Sequence, residues 1–332
     1  MDRRDNILLI RLKSIGDVVL TLPAVQAVRD SFPSAKITFL TSKENAPLLC
    51  GYRGVDEVIA LDRGALRSGN PVKMACEFFG LLRCLRAGRF SLVVDFQGYG
   101  ETEILAWWTG APQRWGSVYH PPRGRLYTRG IPRNDHLALA DLHLSLVEQC
   151  GLRIGRIRNE FDLPEDALAE ARQFFAAHQL EPARPTLFLQ PFTSSLRKNW
   201  PLENFLAVAV HWQARGCQIL FGGGPSDRTA LAPAQAAGYP VAAGMPLLVS
   251  AGLVKLSTLT VGGVTGLIHL AVAMQKRVVM LIGFPNREPG FPYQHRDWAV
   301  TSPGGGIVSE IPIDAVIAAC ARAFEEMGVM FR

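Results

Sequence analysis

The sequence predicts a parallel α/β protein with two doubly wound sheets in series, on three observations. The first is a strand–helix–strand unit at the amino terminus. An apolar run, Ile7-Leu8-Leu9-Ile10, meets a tight turn at Ser14-Ile15-Gly16-Asp17. Helical spacing of Val18, Leu22, Val25 and Val28 follows and stops before Pro33, and a second strand reads over 36–40. The second observation is that the same alternation resumes later in the chain, with apolar strands over 186–190 and 278–282. The third is the Pro-rich linker Glu181-Pro182-Ala183-Arg184-Pro185 in a chain of 332 residues, long enough for two cores of ordinary size. A boundary is expected within 152–185, dividing the chain into domains 1–160 and 161–332.

Taken in order, a short strand is expected over 55–61 and a helix over 72–87, with Phe78, Phe79, Leu82 and Leu85 as its buried face. Leu92-Val93-Val94-Asp95-Phe96 reads as an apolar strand closed by Gln97-Gly98. Residues 101–109 read as a helix whose Trp107 and Trp108 are expected to pack inward. The segment 111–135 is rich in Pro, Gly and Arg with little periodicity, so it reads as a long irregular loop. Helices are expected over 136–151 and 164–179. In the second half the expected order is strand 186–190, helix 203–214, strand 218–221, helix 226–236, strand 258–261, helix 266–274, strand 278–282 and a last helix over 313–327.

Composition narrows the function classes. The formal charge is +6, and residues 1–163 hold 22 Lys/Arg against 17 Asp/Glu. The positive excess of the first half favours an anionic partner there. Six cysteines stand apart at 50, 76, 84, 150, 217 and 320 with no CxxC pair, which argues against zinc and thiol redox chemistry and fits buried thiols in a reducing cytoplasm. The opening apolar run is closed by Arg11 and Lys13, unlike a signal peptide, and no run is long enough for a membrane span. A nicotinamide oxidoreductase needs GxGxxG after the first strand, which SIGD does not supply. No nucleic-acid recognition motif is visible.

Four stretches offer chemistry. Asp17 lies where the first strand hands over to a helix, and it reads either as a helix-start acid or as a base above the sheet. Arg114, Arg123, Arg125, Arg129 and Arg133 sit with His120 in 111–135, either as a solvated basic surface or as a contact for phosphates and carboxylates. Pro191-Phe192-Thr193-Ser194-Ser195-Leu196-Arg197-Lys198-Asn199-Trp200-Pro201 combines hydroxyls, amides and two cations just past a strand. That suits a diphosphate without being a Walker loop. Gly262-Gly263-Val264-Thr265-Gly266-Leu267-Ile268-His269 places small residues before a helix start, an anion site or a plain turn. Gly222-Gly223-Gly224-Pro225-Ser226-Asp227 is a weaker glycine cluster in which Asp227 is a candidate for ribose hydroxyls.

Together these stretches resemble glycosyltransferase family 9, the ADP-heptose:lipopolysaccharide heptosyltransferases, over nearly the whole chain. IRLKSIGDVVLTLPAVQAVR is similar to the family's opening signature, PFTSSLRKNWP to its phosphate loop, GGGPSD to its nucleotide-side loop and VTGLIHLAVAM to its closing signature. The resemblance implies a GT-B fold, two Rossmann-like domains facing across a cleft, with the acceptor on the first and the nucleotide-sugar on the second. It implies Asp17 as catalytic base, and Thr193, Ser194, Lys198, Asp227, Met245, Thr265, Gly266, Leu267 and His269 on the donor. Ser14, Gly16, Arg123 and Arg125 fall to the acceptor. It further implies inverting transfer with no cofactor and no metal, an ADP-sugar donor, an acidic lipid-linked glycan acceptor and peripheral contact with the inner membrane. One position departs: where the family carries an acid before Thr-Gly or Ser-Gly, this chain has Val264, which cannot accept hydrogen bonds from sugar hydroxyls. The donor sugar differs, another residue takes that role, or the chain is a nucleotide-sugar-binding paralogue with weak or no transfer. The last helix is expected to cross back to the first domain.

Overall fold

The computed structural model describes residues 6–50, 52–119, 124–283 and 290–331. The chain divides into two compact units, Met1–Asn159 and Glu160–Arg332. Each is built around one six-stranded sheet, and all the strand pairs are parallel.

In the first unit the strands are β1 (Asn6–Ile10), β2 (Lys36–Ser42), β3 (Glu57–Leu61), β4 (Leu92–Asp95), β5 (Gln113–Val118) and β6 (Arg129–Pro132), in the order β3-β2-β1-β4-β5-β6. Ile7 through Ile10 and Leu92 through Asp95 are buried on both sides, which is why they read as unbroken apolar runs rather than as alternation. Helices Leu22–Ser31 and Leu139–Gln149 pack together on one face. Pro71–Ala87 and Gly100–Trp108 lie on the other, around Leu8, Ile10, Leu85, Phe90, Val93 and Ala106.

The second unit repeats the plan with β7 (Thr186–Gln190), β8 (Gln218–Gly223), β9 (Val241–Ala243), β10 (Leu259–Gly263), β11 (Val278–Ile282) and β12 (Ala299–Thr301), in the order β12-β11-β10-β7-β8-β9. Helices Leu202–Gln213 and Ile313–Glu326 close one face through Phe205, Val208, Trp212, Val316, Cys320 and Phe324. The last helix therefore packs on the second unit's own sheet. On the other face Glu165–Ala177 meets Leu247–Leu256. Their approach requires Gly252, because a Cβ there would stand 2.7 Å from Ala171 Cβ and 3.0 Å from the Ala167 carbonyl.

Several expectations are corrected. Phe78 and Phe79 are 46% and 67% exposed, and the buried pair of that helix is Leu81 and Leu85. Phe78 shares their stripe but lies one turn earlier, in the half of the helix that has no buried residue. Trp107 and Trp108 are exposed, not packed inward. The segment 111–135 is not irregular, for it contains β5 and β6. The 3-10 turn Pro225–Asp227 and a helix at Ala232–Ala236 replace the single helix expected over 226–236, because Pro233 removes a donor the continuous ladder would need. Of the cysteines, 150, 217 and 320 are buried but 50, 76 and 84 are exposed. Burial pushes the Cys150 thiol up to about 11 and Cys217 up to about 12, which leaves both as packing groups.

Candidate active site

In open parallel sheets, ligands gather beyond the carboxyl ends of the strands where the winding direction reverses. In the first unit the reversal lies between β1 and β4. The chain leaving β1 carries Arg11, which is buried. Its Nη1 donates to the Phe96 carbonyl at 2.8 Å, and its Nη2 pairs with Asp17 Oδ2 at 2.8 Å. The Ser14 amide donates to the same carboxylate oxygen at 2.9 Å, and Thr21 Oγ1 donates to the Asp17 carbonyl at 2.7 Å. Asp17 thus caps the short helix Ile15–Val19 and is also one half of an ion pair, with about a third of its side chain exposed. Beyond β4, Gln97 Oε1 accepts from the amides of Leu12 and Lys13 at 3.2 and 3.3 Å, tying the two loops of the reversal point together.

Around this acid lie cations and rings. Lys13 Nζ stands 5.2 Å from the Tyr99 ring centre, and Tyr99 and Tyr119 are 5.3 Å apart. Arg133 stacks over Tyr119 at 4.6 Å and donates to its hydroxyl at 2.7 Å. Burial raises the Tyr119 hydroxyl above its usual range against the pull of Arg133, so it is protonated at neutral pH. Ser14 is exposed and Gly16 is buried in the helix start beside Asp17. Arg125 is exposed in the turn before β6, and Arg123 and His120 lie outside the described residues. Arg114 and Arg129 serve the fold: Arg114 donates to the Leu126 carbonyl at 2.8 Å and Arg129 to the Cys150 carbonyl at 2.8 Å. Arg11, Gln97, Tyr99 and Tyr119 escaped sequence reasoning. Their shared signal is position, each falling within a few residues of a strand's carboxyl end.

In the second unit the winding reverses between β7 and β10, and the two richest loops meet there. The Asn199 side chain accepts from the Thr193 amide at 2.8 Å and from Thr193 Oγ1 at 2.9 Å, curling the loop after β7. Ser194 and Lys198 remain exposed on it. The loop after β10 packs against it so closely that a Cβ on Gly263 would stand 2.8 Å from Thr193 Cγ2 and 3.0 Å from the Lys198 carbonyl. Thr265 caps helix Gly266–Ala273, its hydroxyl accepting from the Ile268 amide at 3.3 Å. Leu267 and His269 are buried in that helix's first turns. Val264 is half-buried, with a methyl 3.6 Å from where a Cβ on Gly290 would lie.

The neighbouring strands complete the rim. After β8, Asp227 Oδ2 accepts from the Gly224 amide at 2.7 Å and its Oδ1 from Ser226 Oγ at 3.3 Å, so both oxygens hold the loop's own shape. After β9, Gly244 donates to the Gly223 carbonyl at 2.9 Å and Arg228 to the Ala243 carbonyl at 3.2 Å. These bonds fix the turn that presents the half-buried Met245. The exposed Lys198 and Ser194 of one loop and the helix start of the other lie on adjacent strand ends, which is an arrangement for a phosphorylated ligand.

Known proteins resemble this chain in sequence and in fold. Lipopolysaccharide heptosyltransferase 1 of Pseudomonas aeruginosa is 26% identical over 303 residues, covering 86% of this chain and 80% of that protein. A family 9 glycosyl transferase from Veillonella parvula superposes with a TM-score of 0.87 at 22% identity, covering 98% of this chain and 99% of that one. Escherichia coli heptosyltransferase WaaC, solved with ADP, gives 0.76 at 19% identity over 96% and 99% of the two chains. These neighbours share the GT-B fold. The family described as glycosyltransferase family 9 (heptosyltransferase) matches residues 78–305, and the chain belongs to that family and is a glycosyltransferase.

Proposed function

We propose that the protein transfers a heptose from ADP-heptose to a lipopolysaccharide core or related cell-surface glycan, inverting the anomeric centre and using no divalent cation. In this reading the first unit takes the acceptor and the second takes the nucleotide. Asp17 accepts the proton of the acceptor hydroxyl as that oxygen attacks the anomeric carbon. The bond from that carbon to the diphosphate oxygen breaks on the opposite face, and ADP departs with the electron pair. The observation that carries the reading is a carboxylate at the reversal point of one sheet and a cation–hydroxyl–helix-start cluster at that of the other. Arg11 and the Ser14 amide both engage Oδ2, which orients the carboxylate and leaves Oδ1 for a hydroxyl.

Charge on the leaving diphosphate falls to Lys198, Ser194 and the amides at Thr265-Gly266, which act here in place of a metal ion. Thr193 shapes the loop, since its hydroxyl is already used on Asn199 and the Ser195 carbonyl. An ADP-linked donor is supported by the WaaC neighbour, which was also solved with ADP-2-deoxy-2-fluoro heptose. The lipopolysaccharide acceptor is supported by the Pseudomonas relative. Thermal shift against ADP, UDP and GDP, paired with a product assay in EDTA, tests this. ADP should stabilise most, turnover with ADP-heptose should survive EDTA, and Lys198→Ala should lose about tenfold or more in ADP affinity. Equal shifts from all three nucleotides, or loss of turnover in EDTA, would contradict it.

Val264 favours a second reading, a nucleotide-sugar-binding paralogue with weak or no transfer, because its apolar surface gives sugar hydroxyls no acceptor. Stabilisation by ADP-heptose with no product in the same experiment would select it.

A further inference from the structure

Asp95, the last residue of β4, is a second carboxyl at the reversal point of the first sheet, and it is fully buried. Removing a carboxyl from water is costly, and an apolar residue would end a strand at less cost. The bonds it makes show what the cost supports. Asp95 Oδ1 accepts from the amides of Gln97 and Gly98 at 2.8 and 3.1 Å, which closes the chain leaving β4 into a tight turn. Its Oδ2 accepts from the Tyr127 hydroxyl at 2.6 Å. Burial raises that hydroxyl well above its usual range, so it stays protonated and donates.

The turn that Asp95 closes is the one from which Asp17 is aimed. Phe96, inside it, gives its carbonyl to Arg11 Nη1, and Gln97 gives its Oε1 to the amides of Leu12 and Lys13. Arg11 then pairs with Asp17 Oδ2. Support therefore runs from the Asp95 carboxyl to the 96–98 turn, from the turn to Arg11, and from Arg11 to Asp17. Tyr127 ties the same carboxyl to a second loop, the turn before β6. There the Leu126 amide donates to Glu103 Oε1 at 2.9 Å, and the Leu126 carbonyl accepts from Arg114 at 2.8 Å. That turn carries the exposed Arg125. One buried carboxyl thus fixes both the loop that orients Asp17 and a loop that presents a cation to solvent.

We propose that Asp95 is a positioning residue for transfer: by holding the 96–98 turn and Tyr127 together, it keeps Arg11, and through it Asp17, in the geometry that takes the acceptor proton. The inference rests on the reading of Asp17 as the base. Single-turnover transfer from ADP-heptose at saturating acceptor, ADP affinity and amide hydrogen exchange are measured on the same full-length variants. Asp95→Ala should slow transfer about 10- to 100-fold while ADP binds within about twofold of wild type, because a small displacement of a reacting group is costly even when binding is intact. Exchange at the Leu12 and Lys13 amides should speed about tenfold or more as their loop loosens. Asp95→Asn, which keeps an oxygen for the two turn amides, should recover transfer to within about fivefold of wild type. Tyr127→Phe is the milder variant should Asp95→Ala fail to fold. It keeps the ring seated on Gly116, where a Cβ would stand 2.3 Å from Tyr127 Cζ, and loses one bond. It should slow transfer about three- to tenfold with ADP affinity unchanged. Wild-type transfer in folded Asp95→Ala or in Tyr127→Phe, unchanged exchange at Leu12 and Lys13 in folded Asp95→Ala, or no recovery in Asp95→Asn would overturn the proposal. Asp17→Asn, run beside them, separates the two readings. Transfer lost there but kept in Asp95→Ala removes only the role of Asp95, whereas transfer kept in Asp17→Asn removes the base reading and this role with it.

Discussion

The base proposed here, Asp17, is held by residues of its own loop. Arg11 spends one arm on the Phe96 carbonyl and the other on the acid, so the carboxylate is aimed by a guanidinium that is itself locked. Under that pair lies His143, fully buried, its ring 5.1 Å from Phe96. Burial first, and the Arg11 charge second, hold His143 well below the usual imidazole value of 6.5. It is neutral in the folded protein and takes up a proton on unfolding below that value. Its contribution is therefore present above about pH 6.5 and is lost as pH falls toward the depressed folded value. Urea unfolding should show about 1–2 kcal/mol less stability at pH 5 than at pH 7 from this group. His143→Phe should flatten that slope, and an unchanged slope would show that His143 does not titrate on unfolding.

At the scale of elements, the loops after β7 and β10 behave as one body because Gly263 leaves no room between them. Gly263→Ala should push Thr193 and the Lys198 backbone aside and cost about tenfold in ADP affinity by calorimetry, with a modest fall in melting temperature. Unchanged affinity would show that the loop pair is not the diphosphate site. Elements buried on both faces were legible from the sequence, because β1 and β11 carry unbroken apolar runs of strand length. The edge strand β3 was legible too, but the amphiphilic β5 and the edge strand β6 were not. Strand β5 reads Gln-Arg-Trp-Gly-Ser-Val, and its Arg114 turns back onto the Leu126 carbonyl, which looks like loop polarity until the bond is seen. Strand β6 ends in Pro132, which is tolerated because β6 is an edge. Exposure of Phe78 was hidden too, since helical spacing names a stripe but not which of its turns are covered.

Over the whole molecule, two sheets of the same reversed order each bring chemistry to a single reversal point, and both stretches could be found in the sequence because strand–loop–helix transitions mark them. The partners of Asp17 itself, Arg11 and the Ser14 amide, are local, but the Phe96 carbonyl that locks Arg11 comes from another strand's end, 85 residues away, and no local pattern announces it. Asymmetry of roles between the units is the central claim: one supplies the base, the other the nucleotide grip. Single-turnover kinetics of Asp17→Asn alongside its ADP affinity tests it most directly. Transfer should fall by about 100- to 10,000-fold while ADP binds within a few-fold of wild type. Transfer that persists near the wild-type rate would contradict the assignment of Asp17 as the base.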